Sequence, residues 1–421
     1  MTSLIFNTLM LPNGAHIRNR LAKAAMEENM AEPGQVPGSA IYELYKAWAR
    51  GGAGLIITGN VMIDGRAMTG PGGVVLERET ELAPFIEWSR VGRTGGAHLW
   101  MQINHPGRQV RASTGGLSWA PSEVPLDMGK YSKHFAAPKA MTDAEISEVI
   151  ERFADTAEAA ERAGFTGIQI HAAHGYLISQ FLSPLANKRD DRWGGSLSGR
   201  ARLLLEVVRA VRTRVSPQFC VAVKLNSADF QRGGFSESDA AQVISWLNEL
   251  PIDLVELSGG SYESPAMQGR AADGRSLARE AYFVEIAAAL AEVARMPLMT
   301  TGGIRRMEVA EKVVSRGVAM VGMATALALV PDLPAQWLVG RDAMALPQTV
   351  RWKDLTMASA ASSALVKRRL HALGTGQPQL RRYSPALTLL LDQVRIGCLT
   401  RRYRRWSGSI LRPGSLAQSS V

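Results

Sequence analysis

Short apolar runs alternate with longer amphipathic stretches along most of the chain. The runs at 21–25, 55–58, 99–103, 167–171, 221–225, 254–258, 298–301 and 320–322 have the length and composition of strands. Between them, 41–51, 82–94, 143–163, 200–215, 238–250, 281–294 and 308–316 carry apolar residues at helical spacing. A strand–helix alternation sustained through eight strands predicts a (β/α)8 TIM barrel in preference to an open doubly wound sheet. Upstream, 9–21 alternates around Pro12-Asn13-Gly14, which predicts a hairpin plugging the bottom of the barrel. Beyond Pro347 the alternation stops, and 359–373 and 385–398 show helical spacing only. The expected organisation is a barrel at 1–345 and a helical extension at 346–421. Its helices dock on the barrel and its last dozen residues are loose.

Composition narrows the class. With 46% apolar residues among 421, the chain can bury a full core. Neither a basic leader with an apolar centre nor a run of roughly 18 apolar residues is present, so the expected location is the cytoplasm. Cys220 and Cys398 lie far apart without Cys-x-x-Cys spacing, which argues against a disulfide framework, a structural zinc and an iron–sulfur cluster. The formal charge of +10 is localised: from Asp342 to Val421 thirteen Lys/Arg face three Asp, while the first 341 residues balance at 35 of each sign. Such a tail can touch RNA, an anionic membrane or an acidic partner. A solvated helix face with a loose end is the favoured reading, which disfavours nucleic acid.

Candidate chemistry gathers where the fourth strand stops. Thr166 to Ile170 reads as a strand, and His171, His174 and Tyr176 follow at its end, where barrels keep their active sites. Two histidines three apart can converge on one ligand atom. Zinc would need a third ligand, no His-Glu-x-x-His occurs, and Asp229 or Glu256 would be a forced choice, so no metal is assigned. Donation of imidazole N–H groups to a carbonyl oxygen is preferred, with Tyr176 as an acid or as a packed ring. Residues 179–196 form a long polar insertion, and 105–140, with Trp119 and Tyr131, form a second one placed as a lid. Gly302 and Gly303 after the seventh strand and Gly322 with Met323 at the eighth match the usual barrel phosphate site.

The run His171-Ala172-Ala173-His174-Gly175-Tyr176-Leu177, then Gln180-Phe181-Leu182-Ser183-Pro184, Asn187-Lys188-Arg189-Asp190-Asp191 and Gly194-Gly195-Ser196, closely resembles the Old Yellow Enzyme family of NADH:flavin oxidoreductases. The resemblance spans about residues 9–338. It implies an FMN-binding barrel reduced by NADH or NADPH, which passes hydride from flavin N5 to the β-carbon of an α,β-unsaturated carbonyl compound. In that family the histidine pair binds the substrate carbonyl and the tyrosine supplies a proton, which falls here on His171, His174 and Tyr176. Ala24, Ala25 and Met26 match the segment lining the flavin, Gly59 the small residue after the second strand, and Gln102 the amide that reads the pyrimidine. Asn226 to Gln231 and Ser258 to Ser264 match pocket-shaping segments.

Three positions depart from the family. Lys224 stands where most relatives have Arg near N1 and the C2 carbonyl, and supplies the charge without the bidentate fork. Glu27 replaces a small Thr or Cys donor at the flavin C4 carbonyl, and is expected to lower the flavin potential. Met323 replaces a phosphate-pairing Arg, for which Arg305 or Arg306 can substitute. The iron–sulfur ligands and second dinucleotide domain of larger relatives have no counterpart here. Two other readings stay open: a flavin oxidase or quinone reductase, and a flavin-free binding protein acting through its basic tail. A homo-oligomer is also left open.

Overall fold

The computed structural model describes residues 3–266, 281, 283–377, 379 and 382–410. Eight parallel strands close on themselves: Leu21–Lys23, Leu55–Met62, His98–Asn104, Gly167–Ala172, Cys220–Asn226, Leu254–Ser258, Leu298–Thr300 and Met320–Met323. Neighbours in sequence are neighbours in the sheet, and the first strand pairs with both the second and the eighth. The predicted barrel is therefore the observed one.

Strand alternation sorts the side chains. On the fourth strand Ile168 and Ile170 face outward into the large core shared with the helices, whereas Gln169 and His171 face inward. The barrel floor is apolar, with Ala22, Leu55, Ile57, Trp100, Ala222, Leu254, Met299 and Met320 packed together. Leu9, Leu11 and Ile17 of the hairpin Leu9–Met10 and His16–Ile17 join that cluster, so the hairpin does plug the bottom. Gly14 takes φ +85° in its turn, a conformation that favours glycine.

Helix positions follow the expected ones within a few residues. The stretch expected to be helical at 281–294 is helical at Val284–Ala291, and residues 267–280 and 282 fall outside the described residues. The second strand runs four residues past the predicted end, because Thr58 offers its Oγ1 to the Gln102 N–H (2.9 Å) across a register shift between Ile57 and Asn60. A side-chain acceptor there replaces a ladder carbonyl, which no period-two pattern reveals.

The extension adds Leu355–Gly374 and Pro385–Ile410, which pack on each other, and the first of them also packs on the Ser39–Ala49 helix. The last helix runs twelve residues beyond the predicted end. Apolar periodicity fades at Cys398, but polar side chains of this helix on either side of it have partners on the barrel. Arg395 donates to the Asn29 carbonyl (2.7 Å), Arg402 to the Ala31 carbonyl, and the fully buried Tyr403 hydroxyl to the Gly65 carbonyl (2.9 Å). His371 of the preceding helix approaches the Glu28 carbonyl at 3.3 Å. The extension thus grips the loops that follow the first and second strands. Tyr403→Ala is expected to destabilise the protein by about 3–5 kcal/mol through the cavity it leaves, and Tyr403→Phe by about 1 kcal/mol, in urea unfolding.

Candidate active site

The inward positions above the apolar floor are polar and buried. Gln102 Nε2 donates to Gln169 Oε1 (2.6 Å), Gln169 Nε2 to Glu256 Oε2 (2.8 Å), and Glu256 Oε1 pairs with Lys224 Nζ (2.8 Å). Four strands are thereby joined by one chain of side chains. Lys224 is salt-bridged at its strand end, and Gln102 is buried and no surface amide. Register places Lys224 level with both His171 and Glu256.

At the mouth, His171 and His174 have ring centroids 5.0 Å apart, and Tyr176 lies 4.8 Å from His171. Ala173 N–H donates to His171 Nδ1 (3.2 Å), so a neutral His171 carries its proton on Nε2 and presents a donor there. His174 sits at φ +60°, a strained conformation for a residue with a Cβ. Three contacts hold it: its N–H donates to Asn226 Oδ1 (3.1 Å), its carbonyl accepts from Gln109 Nε2 (3.0 Å), and its Nε2 lies 2.7 Å from Ser258 Oγ. Asn226 is steadied in turn by Asp229 (3.2 Å) and the Gly260 carbonyl (3.0 Å).

Electrostatics sets the protonation of the trio. Burial, then the neighbouring imidazole and the Lys224 ammonium, hold His171 well below the usual histidine range, and burial with Lys224 does the same to His174. Burial first, then the Tyr262 phenol and the Glu27 carboxylate, push Tyr176 well above the usual tyrosine range. Two neutral imidazoles and a protonated phenol therefore face one space. Tyr262 Oη is 3.3 Å from Tyr176 Oη.

The remaining predicted residues fall into two groups. Ala24, Ala25, Met26 and Glu27 follow the first strand, with Met26 and Glu27 half-buried beside the mouth. The Glu27 carboxylate is held by Asn60 Nδ2 (3.0 Å) and the Thr69 hydroxyl, on the side of the tyrosine pair. Gly302 and Gly303 both take positive φ, and at Gly322 a Cβ would stand 2.6 Å from Thr301 Cγ2, so the rim of the seventh and eighth strands is glycine-lined by geometry. Gly59 has a packing reason of its own: a Cβ would lie 2.1 Å from Glu28 Oε2, and its N–H donates to Glu28 Oε1 (3.1 Å). Met323 is buried in the apolar core, which leaves its backbone as the part that can serve a ligand. Arg306 is turned toward Glu308 (2.6 Å).

Asn60, Gln169, Gln109 and Glu28 carry parts of this site that no motif marks. The one signal available was a polar residue alone in an apolar strand, as with Gln169 between Ile168 and Ile170. Trp119 is buried and stacks on His105 (6.0 Å, 14°), and Tyr131 reaches Asp354 of the extension (3.4 Å). Arg108 ties the 105–140 insertion to Glu263 beyond the sixth strand (2.7 Å).

The sequence profile of the NADH:flavin oxidoreductase / NADH oxidase family matches residues 5–342. The chain belongs to that family. The NADH-dependent flavin oxidoreductase iliE of Hypocrea jecorina (strain QM6a) is 37% identical over 345 residues, covering 76% of this chain and 85% of that protein. The NADH oxidase of Thermoanaerobacter brockii is 34% identical over 333 residues, and there the chain spans about half of the relative's length, 49%. Among solved structures, the old yellow enzyme homologue from Zymomonas mobilis superposes with a TM-score of 0.69 at 24% identity, covering 81% of this chain and 94% of that one, a likeness of fold. This NADH:flavin oxidoreductase accordingly uses FMN and a nicotinamide reductant. The residues at its mouth fit that cofactor. Buried polar atoms with no protein partner collect around it at Asn60 Oδ1, both amide atoms of Asn104 and Gln109 Oε1, beside a glycine-lined rim suited to an anion.

At the start of the insertion, burial pushes His105 down to about 4, next to Asp64. Its folded value lies below the unfolded one, so the unfolded chain binds more protons and stability falls as pH drops from 6.5 towards 4. This one group contributes a loss of about 2 kcal/mol between pH 7 and pH 5. His105→Gln should narrow the difference in urea midpoint between those two conditions. An unchanged difference would show that His105 titrates normally.

Proposed function

We propose that this oxidoreductase reduces the carbon–carbon double bond of α,β-unsaturated carbonyl compounds. The observation that carries the reading is the pair of neutral imidazoles beside a protonated Tyr176 at one strand end. FMN would be held by the Gly302-Gly303 and Gly322 rims at its phosphate and by Gln102 and Lys224 at its pyrimidine edge. When bound, it supplies a carrier that moves hydride from the nicotinamide to the substrate β-carbon.

The protein's own contribution follows from its residues. His171 Nε2–H, with His174 beside it, donates to the substrate carbonyl oxygen, and that donation strengthens as enolate charge develops. Neutral imidazoles suit the task, because they polarise the carbonyl without surrendering a proton to it. Tyr176 gives its phenolic proton to the α-carbon, and Tyr262 lies within reach to restore it. The Lys224 charge, partly offset by Glu256, adds positive potential beneath the site. Closure of the lid by Arg108 and Glu263 limits water at the mouth.

Purified protein should be yellow, bleach anaerobically with NADH or NADPH, and be reoxidised by a simple cyclic enone faster than by air. Reoxidation no faster than by air would favour an oxidase or another acceptor. Replacing His171 and His174 by Ala should slow the enone step by about 10²–10³, and Tyr176→Phe by about 10²–10⁴, with reduction by nicotinamide retained. Loss of both half-reactions together would point to lost cofactor.

The Glu27 carboxylate brings negative charge to the flavin-lining segment. Glu27→Thr should raise the flavin midpoint potential and speed its reduction by nicotinamide, read by spectroelectrochemistry and stopped-flow absorbance. An unaltered potential would remove Glu27 from the redox account.

A further inference from the structure

The helix Pro385–Ile410 has two functional faces. Its inner face is committed to the barrel through Arg395, Arg402 and Tyr403, with Thr388, Leu389 and Thr400 buried. Its outer face bears four large aliphatic side chains in contact with solvent: Leu387 (52% exposed), Leu390 (61%), Leu391 (49%) and Val394 (60%). Their spacing of three, four and seven residues puts them in one stripe along the helix. Continued at the same period, that stripe reaches the exposed Cys398, Arg401 and Arg405. No described carboxylate pairs with either arginine. An apolar patch thus runs into a basic one on a single rigid face.

Nothing in the chemistry of the barrel mouth uses this face. An exposed apolar stripe is uncommon on a protein surface unless something covers it. We propose that it docks the enzyme on an anionic lipid bilayer, with the aliphatic residues entering the interfacial region and the arginines meeting lipid phosphates. Charge complementarity supports that occupant, since the whole +10 of the chain resides in residues 342–421. A second copy of the chain is a poorer fit. A stripe of four side chains falls well short of the about 800 Å² per partner of a stable interface, and a two-fold axis through the stripe would add like charge to like. Attachment would be peripheral, because no described helix is long and apolar enough to cross a membrane.

The test is flotation of the full-length holoenzyme with vesicles of phosphatidylcholine alone and of phosphatidylcholine mixed equally with phosphatidylglycerol. Binding is expected to the mixed vesicles only, and to weaken with added salt. Arg401→Gln with Arg405→Gln should weaken it about 25-fold, about five-fold for each arginine. Leu390→Ser with Val394→Ser should also lose vesicle binding while FMN content and enone turnover stay at the level of the unmodified protein. Equal binding to both vesicles, binding to neither, or a concentration-dependent dimer abolished by the serine variant without vesicle binding would each overturn the proposal.

Discussion

The buried Lys224–Glu256 pair and the two glutamines that continue it are the constraint on which the active site rests. A lone lysine or carboxylate inside the barrel would be too costly to keep charged, and either would neutralise or draw in water. Through Gln169 and Gln102 the ion pair is linked into one chain of side chains across four strands. Such a layer confers little net stability compared with an apolar one. What it provides is a polar floor directly above the apolar plug, with a fixed positive field that reaches both imidazoles.

The conformation of His174 follows from the same economy of contacts. Its positive φ would relax if Asn226, Gln109 and Ser258 did not hold its N–H, its carbonyl and its ring. The strain aims the ring at His171 and not along the strand, and the two glycine-like conformations at His174 and Gly175 let the chain turn sharply before Tyr176 opens the next helix. Backbone strain, an uncharged imidazole pair and a protonated phenol are thus separate results of one tightly packed strand end.

The extension has a part in this arrangement despite lying outside the span of the family profile. Arg395, Arg402 and His371 take hold of carbonyls at Glu28, Asn29 and Ala31, immediately after the segment of Met26 and Glu27, and Tyr403 takes hold of the Gly65 carbonyl just past the second strand. A loop with so many carbonyls needs donors, and the basic helix supplies them. Arginines that read as an unassigned charge excess are divided between this internal duty and the solvent face.

Strand and helix order, the hairpin plug and the gathering of His171, His174 and Tyr176 were legible in the sequence because they depend on local periodicity and turn chemistry. Alternation within each strand also decided which side chains would enter the barrel. Other features depended on residues distant in the chain. The partner of Lys224, the packing reason for Gly59, the placement of Glu27 against Asn60 and Thr69, and the continuation of the last helix past Cys398 all arise from contacts that only closure of the barrel creates. Sequence determined what each position could offer, a donor, an acceptor or an apolar surface. Tertiary structure decided which offers met, because burial and distance set protonation and pairing, and neither exists until the strands have closed.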